Sequence, residues 1–286
     1  MDGGSSDSTR ADVREVANIY SNVKLIDNPK KHVPAAMNVG IHHSSHDILL
    51  WLGAHAEYDP GYVSNSIRIL LEENCASVGG VITPIANSPV GKAIAIATTN
   101  KFGIGNAKYR YAKQRQKVDT VFGGCWQKKN ISSIGGFNEA WVRNQDYELN
   151  CRLREQIGDI ILDPSIQCRY YCRESISALA KQYYQYGFWR FKTFTKHPQS
   201  FTLRQAAPLL LLCGLLISVL ILPISNKLGL LLPTIYVLCT FLVSLWLSVK
   251  HKRPRYLVLL PIIFATLHLS WAFGFAKSLL NKLFKL

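Results

Sequence analysis

No aspartate or glutamate follows Glu174 in this chain of 286 residues, and the acid-free part carries three apolar runs, at 206–223, 228–249 and 256–276. Each comes close to the ~20 residues that a helix needs to cross hydrocarbon, given a rise of ~1.5 Å per residue. Three membrane spans are therefore expected. Lys181, Arg190, Lys192, Lys196 and Arg204 precede the first run, and Lys250, Lys252, Arg253 and Arg255 fill the gap between the second and third. Both clusters fall on one side of a bilayer, which the positive-inside rule makes the cytoplasmic one. Lys277, Lys282 and Lys285 run against that bias, because three crossings leave them on the far side.

The formal net charge of +15 invites a nucleic-acid reading, but the excess cations flank the apolar runs. There they meet an anionic leaflet, so the partner they imply is a membrane, and no nucleic acid is expected. The seven cysteines are odd in number and irregular in spacing, and Cys168 and Cys172 have neither a second pair nor histidines at zinc spacing. Small buried hydrophobes in a reducing compartment are what they imply. The first 20 residues are polar, with no apolar stretch of the kind a secretory leader carries.

Ahead of Glu174, short apolar segments alternate with helical patterns. Strands are expected at 23–26, 47–52, 76–83, 118–126 and 160–162, and helices at 12–20, 34–41 and 90–102. That alternation is the pattern of a parallel α/β sheet. A further helix opens near Asn144, with Leu149 and Leu153 spaced i,i+4, Asn144 as N-cap, and Asp146 and Glu148 at the positive end of the dipole. From these residues alone Asp146 reads either as a dipole-complementing carboxylate or as a chemical group. Residues 175–194 combine Tyr183, Tyr184, Tyr186, Phe188 and Trp189 with Lys181, Arg190 and Lys192, which suits a helix lying at head-group level.

Several of these stretches share a likeness. Gly135-Gly136-Phe137-Asn138-Glu139, then Asn144-Gln145-Asp146-Tyr147-Glu148-Leu149 and Arg152, resembles the segment of family 2 glycosyltransferases that supplies the general base of an inverting sugar transfer. The resemblance implies that role for Asp146. Asp2-Gly3-Gly4-Ser5-Ser6-Asp7 resembles the turn after the second strand of the same family, whose GT-A fold binds nucleotide there; by this likeness Asp2 meets the nucleoside and Asn38 supports the donor site. Family members carry Asp-x-Asp or Asp-Ala-His where this chain has Gly53-Ala54-His55, which leaves His55 as the candidate ligand for a divalent cation, Mg2+ or Mn2+. Gln185, Trp189 and Arg190 resemble a donor-holding motif of membrane-bound polysaccharide synthases, with Phe188 where that motif has Arg. Lys108 and Arg110 are candidates for diphosphate or acceptor contact.

The resemblance thus implies an incomplete GT-A sheet domain over 1–174, an interfacial helix and linker over 175–204, and a transmembrane region over 205–286. Relatives carry a strand, a helix and a second strand before the first turn, so an N-terminally truncated frame is expected. The activity implied is transfer of a sugar from a nucleotide-sugar donor to a lipid-linked saccharide acceptor in exopolysaccharide assembly at the bacterial inner membrane, with the catalytic domain cytoplasmic. The alternative is a truncated, catalytically inactive membrane-bound remnant or accessory protein of the same family.

Overall fold

The computed structural model describes residues 1–105 and 107–284, without the side chains of Leu203 and Arg204; Lys285 and the Arg204 side chain therefore lie outside the described residues. Two compact units divide the chain. One comprises Met1–Gly53, Pro60–Gly80 and Gln114–Ile166, the other Ala54–Asp59, Val81–Lys113 and Gln167–Leu286.

The first unit holds α1 (Thr9–Ile19), α2 (Val33–His43), β1 (Ile48–Leu50) and α3 (Tyr62–Glu73). Later it takes in β4 (Gln116–Val118), β5 (Phe122–Gln127), α6 (Lys128–Ser133) and α7 (Gln145–Gln156). Two strands pass between the units, β3 (Ser77–Ile85) and β6 (Ile160–Tyr171), and β2 (Ala56–Tyr58) lies in the second. The strand order is β1-β5-β3-β6-β2, with β4 also on β6. Every ladder whose register is described is antiparallel, among them Leu50 opposite Cys125 and Lys117 opposite Ile161. The sheet is thus mixed where a parallel one was expected: β3 and β6 run parallel, with Ala76 N–H donating to Asp159 O at one end and Cys172 N–H to Ile85 O at the other, while β1, β2, β4 and β5 pair antiparallel. Val23–Ile26 forms no strand; only an isolated bridge joins Asp2 to Asp27.

The core of this unit is built from Trp126, Ile131, Phe137, Leu149 and Leu153. Phe137 meets Trp51 and Trp126 edge-on, at ring distances of 6.1 and 6.2 Å. Leu149 and Leu153 bring the buried stripe of α7 onto those rings, as their i,i+4 spacing requires. In contrast α1 buries none of its residues, and Val16, Ile19 and Tyr20 are exposed.

In the second unit α4 (Pro89–Ala97) and α5 (Lys101–Ile104) are separate helices, broken where Asn100 caps α5 through Phe102 N–H. Then come α8 (Ile176–Lys196), α9 (Leu203–Ile221), α10 (Asn226–Lys250) and α11 (Tyr256–Leu283). Among the described residues α10 and α11 are long and apolar enough to cross a membrane, whereas the apolar part of α9, Gln205–Ile221, is shorter. Leu220, Leu231, Val237, Leu238, Leu242 and Val249 are exposed along α9 and α10.

Helix α8 runs alongside α11 in the same direction. Leu179 clusters with Leu260, Ile263 and Phe264. Farther along, a Cβ on Gly187 would lie 1.9 Å from Trp271 O, and one on Gly274 1.9 Å from Tyr184 O, so these helices touch through glycine. Phe191 packs on Phe275 at 5.1 Å, and Lys192 and Thr195 line a shared space with Ser278, Asn281 and Lys282 at the far end. On another side α10 runs back along α11: Leu247 sits with Tyr256 and Leu260, and the Tyr236 hydroxyl is 2.9 Å from His268 Nδ1.

Candidate active site

Gly135 and Gly136 both have left-handed backbone, with φ of 80° and 67°. At Gly136 a side chain would also collide with Asn38, whose Oδ1 lies 2.7 Å from the position of a Cβ. Glycine is required there twice over. Asn38, on α2, holds the next residue on both sides: its Oδ1 accepts the Phe137 N–H at 2.8 Å and its Nδ2 donates to Phe137 O at 2.9 Å. The same amide reaches Glu139 Oε1 at 3.1 Å, and Glu139 also receives Lys30 Nζ at 2.6 Å.

Arg152 clamps the turn from the opposite side. Its Nη1 donates to Ile134 O at 2.7 Å and its Nη2 to Gly136 O at 2.8 Å. Glu148, one turn back on α7 and fully buried, takes Nε and Nη2 at 3.0 and 2.8 Å. A buried carboxylate is tolerable only with such a partner. The glycine turn and α7 are thereby one rigid piece, and the motif spacing Glu148 to Arg152 is the i,i+4 of that clamp. Its role was missed in the sequence, although the spacing carried the signal.

Asp146 stands in the first turn of α7. It is half-buried, and Oδ1 accepts the Tyr147 N–H at 2.9 Å. Burial pushes its carboxyl above the ordinary value, against the pull of that N–H. Behind it, Tyr147 and Asn150 tie α7 to the turn before β5, through Asp119 at 3.4 Å and Thr120 Oγ1 at 2.9 Å. One expectation needs correction: Asn144 precedes the helix but has left-handed backbone, φ 56°, and makes no side-chain cap. Its φ turns the chain into α7 where a cap was expected.

Asp2 and Asn38 lie in the same unit as Asp146. Asp2 is buried, and its carboxylate takes Gly4 N–H at 2.9 Å, Ser5 Oγ at 2.5 Å and Arg10 Nη1 at 2.5 Å. The Ser5 hydroxyl and Arg10 hold it well below the usual carboxylate range. Arg10 bridges on to Asp27 at 2.7 Å, which closes the first turn into a loop.

The other expected residues belong to the second unit. His55 is exposed, and its backbone carbonyl accepts Tyr171 N–H at 3.1 Å. Nearby Glu57 is engaged by Arg169 at 2.7 Å and by the Tyr171 hydroxyl. Among the described residues no three His, Cys, Asp or Glu side chains gather closely enough to hold a metal ion by themselves. Arg190 is buried, and its Nη2 donates to Ser200 O at 2.5 Å and to Gln205 Oε1 at 3.1 Å. Trp189 carries Lys192 Nζ 4.3 Å above its ring, and Gln185 is partly exposed.

A cluster the sequence did not reveal surrounds Arg110. The half-buried guanidinium lies over the Tyr109 ring at 5.5 Å and among the phenols of Tyr183 and Tyr186, whose rings are 5.5 Å apart. Burial pushes the Tyr183 hydroxyl up to about 12 and that of Tyr186 higher, so both stay protonated donors. Among the described residues Arg110 makes no ion pair with a carboxylate. The i,i+3 spacing of the two tyrosines was the only signal, and it reads equally as a packing face.

Comparisons with known proteins agree with this architecture. Residues 1–133 match the family model described as Glycosyl transferase family 2. The chain is 28% identical over 285 residues to the succinoglycan biosynthesis protein ExoA of Rhizobium meliloti (strain 1021), covering 98% of this chain and 84% of that protein. It is 29% identical over 295 residues to a dolichyl N-acetyl-alpha-D-glucosaminyl phosphate 3-beta-D-2,3-diacetamido-2,3-dideoxy-beta-D-glucuronosyltransferase of Methanococcus voltae, covering 100% and 88%. Among solved structures, the mannosyltransferase PcManGT of Pyrobaculum calidifontis, in complex with GDP-Man and Mn2+, superposes with a TM-score of 0.59 at 14% identity, over 98% of this chain and 77% of that one. At that identity the superposition speaks to the fold alone.

Proposed function

We propose that this chain, whose residues 1–133 match the family 2 glycosyltransferase model and which resembles ExoA and the Methanococcus voltae transferase along nearly its whole length, is a membrane-anchored inverting glycosyltransferase with Asp146 as general base. It transfers a sugar from a nucleotide-sugar donor to a lipid-linked saccharide in exopolysaccharide assembly, at the cytoplasmic face of a bacterial inner membrane. The reading rests on one observation: a half-buried carboxylate at the entrance of a helix whose orientation is fixed by the Asn38–Phe137 and Arg152–Glu148 contacts.

In the step proposed, Asp146 takes the proton of the acceptor hydroxyl as that oxygen attacks the anomeric carbon. The bond from that carbon to the nucleoside diphosphate breaks on the opposite face, and its electron pair leaves with the diphosphate. A base held this firmly acts without first having to be ordered, which is where positioning contributes to rate. Asn38 serves as a positioning residue, since its amide is taken up by the Phe137 main chain. Asp2 shapes the first turn and, through that turn, the nucleoside site. Gln185 and Trp189 remain proposed donor contacts. To Arg190 we assign the ordering of the corner between α8 and α9, and to Arg110, with no carboxylate to neutralise it, the contact with a phosphate-bearing substrate. PcManGT is complexed with Mn2+; in this chain the exposed His55 would be the residue to hold a divalent cation, which would offset charge on the departing diphosphate, and no step is routed through it.

Anchoring falls to the exposed apolar faces of α9 and α10. The α8–α11 pair is proposed to lie along the interface. Exposed Lys181 and Lys192 are 11 positions apart on α8, about 16 Å of helix. Hydrocarbon is ~30 Å thick, so a helix with cations that close together does not span it, and α11 follows its neighbour. Lys277 and Lys282 then fall on the same side as Lys250 and Arg255, which removes the conflict in the charge pattern.

The test is turnover by the full chain in detergent or nanodiscs with a panel of nucleotide sugars and a lipid extract. Asp146→Asn should lower nucleoside diphosphate release by ~10²-fold or more and keep nucleotide binding; turnover near that of the parent refutes the assignment. A second reading, a catalytically silent family member, is favoured by Gly53 in place of the family's carboxylate. Failure of the unmodified chain to bind any nucleoside diphosphate saturably would decide for it.

A further inference from the structure

At the far end of the α8–α11 pair, beyond the glycine contact, a cavity of about 300 Å3 opens between the two helices. Phe188 and Phe191 form one wall, Lys192 and Lys282 face it from different helices, and Thr195 and Asn281 add polar groups. Lys192 Nζ sits 5.1 Å over the Phe188 ring and 4.3 Å over the Trp189 ring, which fixes its stem against the aromatic wall. No acidic residue lines the space, and none follows Glu174 in the chain, so neither lysine has a carboxylate from these helices. Among the described residues the Asn281 Oδ1 is buried and has no hydrogen-bond partner.

The geometry points to a binding site for a lipid phosphate head group: the phosphate between Lys192 and Lys282, the first carbons of its chain against Phe188 and Phe191, and a head-group hydroxyl donating to Asn281. The chemistry matches part by part. Two cations from two helices, with no carboxylate among the residues that line the space, favour a phosphate over a neutral group, the rings give an apolar exit for a chain, and the buried acceptor of Asn281 suits a hydroxyl. A peptide carboxylate would leave the aromatic wall facing water. The inference rests on the membrane-anchored reading, because the pair must lie at head-group level for a lipid to enter. It does not depend on Asp146 or on transfer.

Native mass spectrometry of the full chain, released from nanodiscs of phosphatidylcholine doped with either phosphatidylglycerol or a polyprenyl phosphate, tests it. A retained phosphate lipid is expected, and the Lys192→Ala/Lys282→Ala pair should weaken retention by tenfold or more while Lys192→Arg/Lys282→Arg keeps it. Whichever dopant is lost identifies the source, a bulk phospholipid or the lipid carrier of a saccharide. Far-ultraviolet circular dichroism and nucleotide binding should be unchanged in both variants. Retention within twofold of the parent in the alanine pair, or an equal loss of phosphatidylcholine, overturns the site. If instead the parent chain stays in solution without detergent or lipid, the membrane reading has failed, a distinct result that removes the site with it.

Discussion

Cations of the first unit and those after Glu174 are satisfied in different ways. In the first unit Arg10, Arg115, Lys117 and Arg152 all pair with carboxylates, and Arg115 spans Glu73 and Asp163 at 2.7 and 2.5 Å. Past Glu174 the cations turn to other groups: Arg190 to a carbonyl and an amide, Lys192 to Trp189, Lys250 to Trp246 at 4.9 Å. Ion pairs lock geometry, because each charge fixes the other. Exposed cations resting on rings keep their charge available to an external anion. The first arrangement suits a positioned base, the second a surface that meets phosphate.

The largest effects fall on the locked side. Asp146→Asn should lower turnover by ~10²- to 10⁴-fold, the contribution of a general base. Stability should hold, since burial disfavours the charge that is removed. The raised carboxyl value sets the pH behaviour. The base is active only when ionised, so the acid limb of the rate profile should fall above the ordinary value near 4. A folded value above the unfolded one means that the native state is penalised at higher pH and relieved as pH falls through the folded value; Asp146→Asn should flatten that component in denaturant titrations. Next comes Arg152→Ala, which strands the fully buried Glu148 charge and frees two turn carbonyls. A loss of about 3 to 5 kcal/mol is expected in urea unfolding, and the added change Glu148→Gln should restore part of it. If Arg152→Ala alone costs under about 1 kcal/mol, the clamp does not organise this region.

On the other side the large effect is steric. Gly274→Val places a branched side chain where a single carbon would already lie 1.9 Å from Tyr184 O, so α8 must move from α11. Overpacking of this kind costs about 1 to 3 kcal/mol or more. The altered contact should show as new protease cleavage within residues 176–196, with Asp146-dependent nucleotide release read in parallel. An unchanged digestion pattern would mean that the two helices are not held by glycine.

How much of this was legible in sequence differs between the same two regions. Around Asp146 the local rules agreed: glycine where φ is positive, Leu149 and Leu153 toward the core, acids at the positive end of a helix. Only the cap at Asn144 failed, because its backbone, and not its side chain, starts the helix. Strand direction was not legible: β5 runs antiparallel to β1 and β3 while β3 and β6 run parallel, and the residue pattern within the strands does not distinguish the two. After Glu174 hydropathy alone gave three equivalent spans, yet α11 is covered on one side by cation-bearing α8. A window average has no term for which neighbour covers a face, and Gly187 and Gly274 lie 87 positions apart.

The smallest effect separates the two regimes most cleanly. Arg68 and Glu72 form an exposed i,i+4 pair on α3 at 2.8 Å, with side-chain exposures of 50% and 46%. Removing Arg68 should cost about 0.3 to 0.5 kcal/mol at low salt and nothing measurable in 1 M salt, since such pairs sit in water. Lys250→Ala removes a cation of similar exposure whose near neighbour is the Trp246 ring. Its effect on unfolding should be as small, yet partition onto vesicles containing phosphatidylglycerol should weaken by about 1 kcal/mol, the worth of one basic residue at an anionic surface. Arg68→Ala should leave that partition unchanged. Should both substitutions shift vesicle binding equally, the charge after Glu174 has no special relation to the membrane, and the contrast between ion-paired and ring-borne cations is one of packing only.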